Sequence, residues 1–429
     1  MDAARAARRM RARVLIGSLI GSSIEWYDYL LYGTVAPLVF APRFFPSSDP
    51  LVGLLLAYAS FAFPFFIRPL GGVLFSHLGD RVGRKQSLVL TLVLMGVATT
   101  LIGCLPDYAA IGPAAPVLLI GLRLVQGLGI GGEWGGALLL AVESATPGRR
   151  GLFGSVPQMG ITIGMLLGSL ALTLAGLLPE EDFQAWGWRV PFLLSAALVG
   201  FGLWIRHGIE ETPAFRAARE AGRIARVPIV ETLRKHKKAV LLAVGLKVVE
   251  TAPFYVFSTF VISYVTQFAG LPKEAALHAV MVGALVCTVA IPLLGALADR
   301  VGRRPLYIGG TLAMMLFAAP YFWLLSLGSA WTVMLATVVA LGLLWAPVTA
   351  VLGTLFSEIF STEVRYTGVS LGYQLGAALA GGTAPLVATV LLDLSGGHWW
   401  PVAAYIAGAG LVSLVCILLV RETRDRALD

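Results

Sequence analysis

Ile24-Glu25-Trp26-Tyr27-Asp28-Tyr29-Leu30-Leu31-Tyr32 lies inside an apolar run that extends from Val14 to Phe40. A run of that length crosses a bilayer as a helix, yet this one carries two carboxylates. An ionisable side chain in hydrocarbon costs at least ~2.5–3.5 kcal/mol, so it faces a cavity or a partner. Glu25 and Asp28 are three residues apart and therefore share one helix face. Two readings are open: fixed structural charges, or a titratable site in a transport path.

Working outward, the same spacing of apolar runs repeats through all 429 residues, of which 57% are hydrophobic and 13% charged. An ordinary soluble domain has about 25% charged residues. Twelve segments reach spanning length, near 14–40, 51–76, 86–105, 114–142, 151–178, 188–205, 239–268, 276–298, 305–327, 331–357, 366–392 and 399–420. The expectation is an all-α membrane protein with twelve transmembrane helices. Five arginines precede Val14, but the apolar run behind them is too long for a signal peptide and holds two acids, so it reads as a retained first span.

The +8 net charge does not call for nucleic acid. Of the 32 Lys and Arg, 26 fall at the termini and in alternate loops; the other six are Arg43, Arg68, Arg123, Arg189, Lys247 and Lys273. That asymmetry places both termini in the cytoplasm. Cys104, Cys287 and Cys416 sit in apolar segments without paired spacing and read as small packing residues. Nothing calls for a metal or a cofactor. A membrane enzyme is the competing class, but the five histidines show neither metal-ligand nor nucleophile spacing.

The most basic interruption, 206–238, separates an N-terminal six-helix bundle (1–205) from a C-terminal one (239–429). It reads as a cytoplasmic linker of short amphipathic helices lying against anionic lipid. The halves repeat weakly. Gly79-Asp80-Arg81-Val82-Gly83-Arg84-Lys85 recurs as Ala298-Asp299-Arg300-Val301-Gly302-Arg303-Arg304, and Glu143 with Arg150 recurs as Glu358 with Arg365. Two pseudo-symmetric six-helix halves are the plan of major-facilitator transporters, with the site between them near the midplane. Asp80 and Asp299 are expected to cap the helix that follows each loop. The arginines then pair with acids such as Glu143 and Glu358, making a latch that holds one arrangement of the halves. Topology control by positive charge explains the same residues, and both roles fit together.

In the fourth segment Arg123 and Gln126 share a face. At 1.5 Å per residue Arg123 lies ~14 Å below the outer edge and Asp28 ~9 Å, depths compatible with contact. Asp28 is therefore expected to carry a proton with Arg123 as its partner and Glu25 as its rival; a fixed ion pair is the other reading. Glu133, about three turns further in, reads as a gate residue. In the seventh segment Lys247 and Glu250 are again three apart, and Glu250 is the counterpart of Glu25. Lys247 is either an anion ligand or the mutual partner of Glu250. Arg68 either binds anion or snorkels toward the cytoplasm. Tyr32, Gln126, Gln158, Trp345, Tyr373 and Gln374 supply neutral polar contacts.

At these residues the chain resembles the metabolite:proton symporter family of the major facilitator superfamily. The resemblance rests on Glu25–Tyr29, Arg68-Pro-Leu-Gly-Gly72, Gly79–Lys85, Gly131-Gly-Glu-Trp-Gly-Gly136, Gly187-Trp-Arg-Val-Pro191 and Tyr366-Thr-Gly368. Leu246-Lys-Val-Val-Glu250 and Gly372-Tyr-Gln374 are most similar to the shikimate permeases. Glu25 stands where that pattern has aspartate, Lys247 where it has arginine, and Ser76 where the first loop motif has glycine. The resemblance implies proton-coupled uptake of a small polar metabolite such as shikimate, 2-oxoglutarate or citrate, by a functional monomer in a bacterial inner membrane. A proton/osmolyte (proline or betaine) symporter and a proton-coupled exporter are the alternatives. It also implies that Asp28 and Arg123 couple the proton.

Overall fold

Long apolar runs leave a chain in lipid one way to satisfy its backbone, the α-helix. In the computed structural model every one of the twelve segments is helical. Residues 2–82, 84–132, 134–207, 232, 234, 236–360 and 365–425 are described, with side chains outside 2–10, 76–85, 87–88 and 205–207. Among the described residues there is no strand. The linker expected over 206–238 lies largely outside them, as does Glu133, and so do the side chains of Asp80, Arg81 and Arg84 and the whole of Gly83.

The spans of the first half are α1 (Asp2–Val35, continued by a π segment Ala36–Phe40), α2 (Pro50–Val82), α3 (Arg84–Cys104), α4 (Ala114–Gly131, resumed as Trp134–Glu143), α5 (Arg150–Ala175) and α6 (Arg189–His207). Those of the second half are α7 (Lys237–Phe268), α8 (Lys273–Val301), α9 (Arg303–Ser326), α10 (Ala330–Ile359), α11 (Arg365–Leu394) and α12 (Trp400–Leu419). Nine of the described helices are long and apolar enough to cross a membrane by themselves, and α6 joins them when counted with the bent segment Glu180–Gly187 before it. The remaining two are α1, whose carboxylates lower its hydropathy, and α3, described as apolar over Val89–Cys104.

Packing repeats with the sequence. Helix α1 packs on α5, α2 on α4 and α3 on α6; α7 packs on α11, α8 on α10 and α9 on α12. The two sets meet along α5 with α8 and along α2 with α11. Small residues permit the close approaches. A Cβ on Gly127 would stand 2.6 Å from the Pro64 carbonyl oxygen, so α4 lies backbone to backbone on α2 only because that position is glycine.

Candidate functional site

A small cavity lies between the two sets of six, lined by Arg68, Lys247, Glu250, Trp345 and Tyr373 among others. Its free space for water centres is about 10 Å³, room for about one water. The halves are closed on it. Above it are edge-on aromatic contacts between the halves: Phe61 and Phe65 each stand 5.4 Å from Tyr255, and Trp26 stands 6.4 Å from Phe254.

Lys247 and Glu250 form a buried ion pair on one face of α7. Glu250 also accepts from Thr251 (2.9 Å) and Thr349 (3.2 Å), and the Lys247 ammonium sits 3.5 Å from the Tyr373 ring centroid. Trp345 donates its indole N–H to the Glu250 carbonyl oxygen at 2.5 Å, which fixes the α7 backbone where the carboxylate projects. Of the two readings of Lys247, mutual pairing is the one realised in this conformation.

Arg68 does not reach for the cytoplasm. It is 1% exposed, with its guanidinium 4.2 Å from the Tyr29 ring and 4.1 Å from Phe65. Its Nε and Nη2 have no hydrogen-bond partner, and among the described residues no carboxylate is within ion-pair distance. Tyr29, Tyr255 and Tyr373 hydroxyls and Gln374 Oε1 are likewise buried without partners. Buried polar groups are seldom left so, and of these Arg68, Tyr255 and Tyr373 line the one cavity.

The expected Asp28–Arg123 pair is not formed. Asp28 points to α6, where Oδ1 accepts from Ser195 at 2.6 Å; Oδ2 has no partner, and Thr99 lies beside the carboxyl. Arg123 points elsewhere, donating to Gln126 at 2.7 Å with its guanidinium 4.0 Å from the Tyr32 ring. Gln126 passes the contact to Thr99 at 2.7 Å. Tyr32 bonds Ser60 at 2.5 Å, so Tyr32 and Gln126 belong to the Arg123 cluster and do not line the cavity. Tyr29 bridges the two regions, its ring lying 4.2 Å from one guanidinium and 4.8 Å from the other. Glu25 is buried nearby.

Asp299 corrects a second expectation. It ends α8 instead of starting α9, and its two oxygens accept the backbone N–H groups of Gly151 (2.7 Å) and Leu152 (3.0 Å), the free N-terminus of α5 in the other half. Gly302, at φ +106°, makes the turn that allows this. The start of α9 is capped by Glu422, which accepts from the N–H groups of Arg303 and Arg304. Burial pushes the Glu422 carboxyl up, but the backbone N–H groups it accepts hold it below its usual range. Arg303 grips Glu358 through two nitrogens at 3.1 and 3.2 Å and pairs with Asp299 at 3.0 Å; Arg150 approaches Glu358 across the halves at 3.9 Å. Arg300 contributes its carbonyl to Arg424, Arg365 donates to the Phe360 carbonyl, and Glu143 is exposed.

On the opposite face Arg43 pairs with Asp107 at 2.6 Å and Lys273 with Glu180 at 2.5 Å. The Arg43 guanidinium holds the Asp107 carboxyl below its usual range. This tether therefore contributes stability above the unfolded carboxylate pKa and loses it only as pH falls through the lower folded value.

Replacing Asp299 by Asn removes the charge from the α5 cap and from Arg303. The closed cytoplasmic arrangement should weaken by about 1–2 kcal/mol, a population shift of roughly 5- to 30-fold. Thiol labelling of a cavity-facing cysteine from the cytoplasmic side measures it, and an unchanged rate would remove Asp299 from the latch.

Sequence reasoning missed Trp134, Ser195 and Thr349. Trp134 stacks on Tyr373 at 3.5 Å and donates to Gln158 at 3.0 Å; Gln158 reaches the Thr349 carbonyl at 3.3 Å. The glycine-flanked Trp in Gly131–Gly136 was the available signal.

The profile described as Major Facilitator Superfamily matches residues 18–372 and 254–428. The chain is 41% identical over 416 residues to the Shikimate transporter of Escherichia coli (strain K12), covering 96% of this chain and 95% of that one. It is 33% identical over 436 residues to the Glycine betaine/proline/ectoine/pipecolic acid transporter OusA of Dickeya dadantii (strain 3937), covering 97% and 84%. In fold it is similar to the partially occluded inward open conformation of the xylose transporter XylE from E. coli, with TM-score 0.75, 18% identity and coverage of 97% and 99%.

Proposed function

The chain belongs to the Major Facilitator Superfamily, and on that premise we propose that it is a proton-driven symporter carrying a small hydroxylated carboxylate of the shikimate type into the cytoplasm. It is a transporter and not an enzyme, as its named relatives are transporters.

The observation that carries the substrate class is Arg68. A guanidinium buried without a counter-anion is costly, and it lies on the same cavity as Lys247, where Glu250 is the carboxylate among the described lining residues. A ligand carboxylate supplies the missing charge, and the unpartnered tyrosine hydroxyls suit its hydroxyl groups. The cavity, at about 10 Å³, is too small for such a ligand, so loading requires the halves to separate on the outer face. The bundles 1–205 and 239–429 rock about this site. The positive bias of the alternate loops supports both termini on the cytoplasmic side of a bacterial inner membrane. A monomer suffices, since one chain supplies every side chain named above.

Asp28 carries the proton in this reading. Burying a carboxylate with one oxygen unpartnered is unfavourable while it is charged, and a bound proton removes the charge. The Thr99–Gln126–Arg123 chain and the Tyr29 ring connect it to the cavity. A zwitterionic osmolyte is the second reading. Lys247 and Glu250 present opposite charges side by side, which matches a betaine.

Proteoliposomes with an inward proton gradient test both. Labelled shikimate should accumulate and a protonophore should abolish the accumulation. Accumulation of glycine betaine alone would move the substrate to the second reading, and uptake of either that ignores the protonophore would remove the proton.

A further inference from the structure

We propose that Trp134 is a positioning residue that closes the cytoplasmic floor of the central cavity, and that the Lys247 ammonium sets whether the floor holds. Lys247, Tyr373, Trp134, Gln158, Thr349 and Glu250 make one closed ring through both halves. The ammonium stands over the Tyr373 ring at 3.5 Å, and Tyr373 stacks on Trp134 at 3.5 Å. The Trp134 indole N–H donates to Gln158, the Gln158 amide donates to the Thr349 carbonyl, and the Thr349 hydroxyl donates to Glu250. The Lys247–Glu250 pair closes the circuit. Two members, Trp134 and Gln158, come from the first half, so the ring cannot survive separation of the halves on this side.

Its members lie within about 8 Å of one another in depth, Glu250 being the deepest at thirteen residues into α7. Gln158 and Tyr373 are each eight residues into α5 and α11, about 12 Å from the ends at Arg150 and Arg365. Lys247 is ten residues from Lys237 and Thr349 ten from Ile359, about 15 Å. The ring therefore forms the cytoplasmic side of the cavity, which Lys247, Glu250 and Tyr373 line, and sits deeper in the membrane than the Asp299 latch.

Contacts between α4 and α11 place Trp134 there. The Gly131 and Gly132 carbonyls accept from Gln374 (3.4 Å) and Tyr366 (3.3 Å) of α11. The Trp134 indole is thus held against α11.

Two of the six links belong to Lys247. An ammonium has three donors and no fixed plane, so an anionic ligand in the cavity draws it from Glu250 and off the Tyr373 face. Anion binding then loosens the floor beneath the ligand, and release follows toward the cytoplasm. This direction rests on the orientation and transport reading above; the ring itself does not.

The test uses the full chain in proteoliposomes, with Cys104, Cys287 and Cys416 replaced and a single cysteine at Ala377, which lines the cavity. A membrane-impermeant maleimide is added on the cytoplasmic face. Trp134→Ala should label about tenfold faster than the parent. Gln158→Leu, which keeps the stack and cuts the two hydrogen bonds of Gln158, should fall between them. Shikimate should speed labelling of the parent and add nothing in Trp134→Ala.

Parent-like rates in both variants overturn the proposal. So does an equal rise at a cysteine replacing Ala57, in the outer part of α2, labelled from outside, since that is general loosening. Faster cytoplasmic labelling in Trp134→Ala with no shikimate effect on the parent keeps the floor and overturns the Lys247 control. Failure of shikimate to accumulate in the parent is a separate readout, and it counts against the substrate reading alone.

Discussion

Asp28→Asn is expected to abolish accumulation of substrate against its gradient while exchange between loaded and external pools continues. One proton moving down a potential of 100 mV supplies about 2.3 kcal/mol, enough to hold a concentration ratio of roughly 50-fold; without the proton the ratio falls to about one. The side chain is suited to this test. Asn keeps the carbonyl oxygen that accepts from Ser195, and it places an amide where Oδ2 stands without a partner. It is the shape of a protonated carboxyl that never gives up its proton. The halves can still exchange loaded substrate, but the cycle no longer requires a proton on each return. Equal loss of accumulation and exchange would mean that Asp28 holds structure. Glu25→Gln is the control: if it uncouples and Asp28→Asn does not, the carrier is Glu25.

The reason Asp28 and Arg123 were legible as a pair, and are not one here, lies in what a sequence reports about a membrane helix. Hydropathy and span boundaries give position along the membrane normal, and on that axis the two residues match. They give no azimuth. Each residue turns the helix by about 100°, so Asp28 faces α6 and Ser195 while its neighbour Tyr29 faces the guanidinium groups of Arg68 and Arg123. The same limit hid Asp299. Its motif fixed a carboxylate beside a free helix terminus, and the sequence offered α9 as the nearest one. The chain folds so that α8 ends against the start of α5, and the nearer terminus in space is in the other half.

The helical segments were legible because each rests on a local property, its apolar length. Packing of α1 on α5 mirrored by α7 on α11 is what the internal repeat leads one to expect. Arg68 and Lys247 were each left with two readings, and in this conformation Arg68 is buried and Lys247 is paired with Glu250. A single cation in an apolar run is equally compatible with snorkelling and with burial until its neighbours are known. Around Arg68 those neighbours are the aromatic faces of Tyr29 and Phe65, which can hold a cation without neutralising it.

Lys247→Ala carries the second large effect, and its size depends on what happens to Glu250. Truncating one partner of a buried, hydrogen-bonded charge pair costs about 2–4 kcal/mol, roughly 30- to 1000-fold in affinity, much of it from the charge left behind. A rise in the transport KM for shikimate in the single variant therefore does not yet assign Lys247 to the ligand. The double variant Lys247→Ala with Glu250→Gln removes both charges and leaves Arg68 as the cavity's cation. If Lys247 binds the carboxylate, the double variant keeps most of the KM increase for shikimate, because no ammonium is restored. If the pair is purely structural, removing Glu250 as well should bring KM back toward the parent. Glycine betaine separates the cases further. Its carboxylate is weakened by loss of Lys247 and its ammonium by loss of Glu250, so the double variant should handicap betaine more than the single one does. A KM for both compounds that returns to parent values in the double variant would leave Arg68 as the sole anion ligand and make the Lys247–Glu250 pair a fixture of α7.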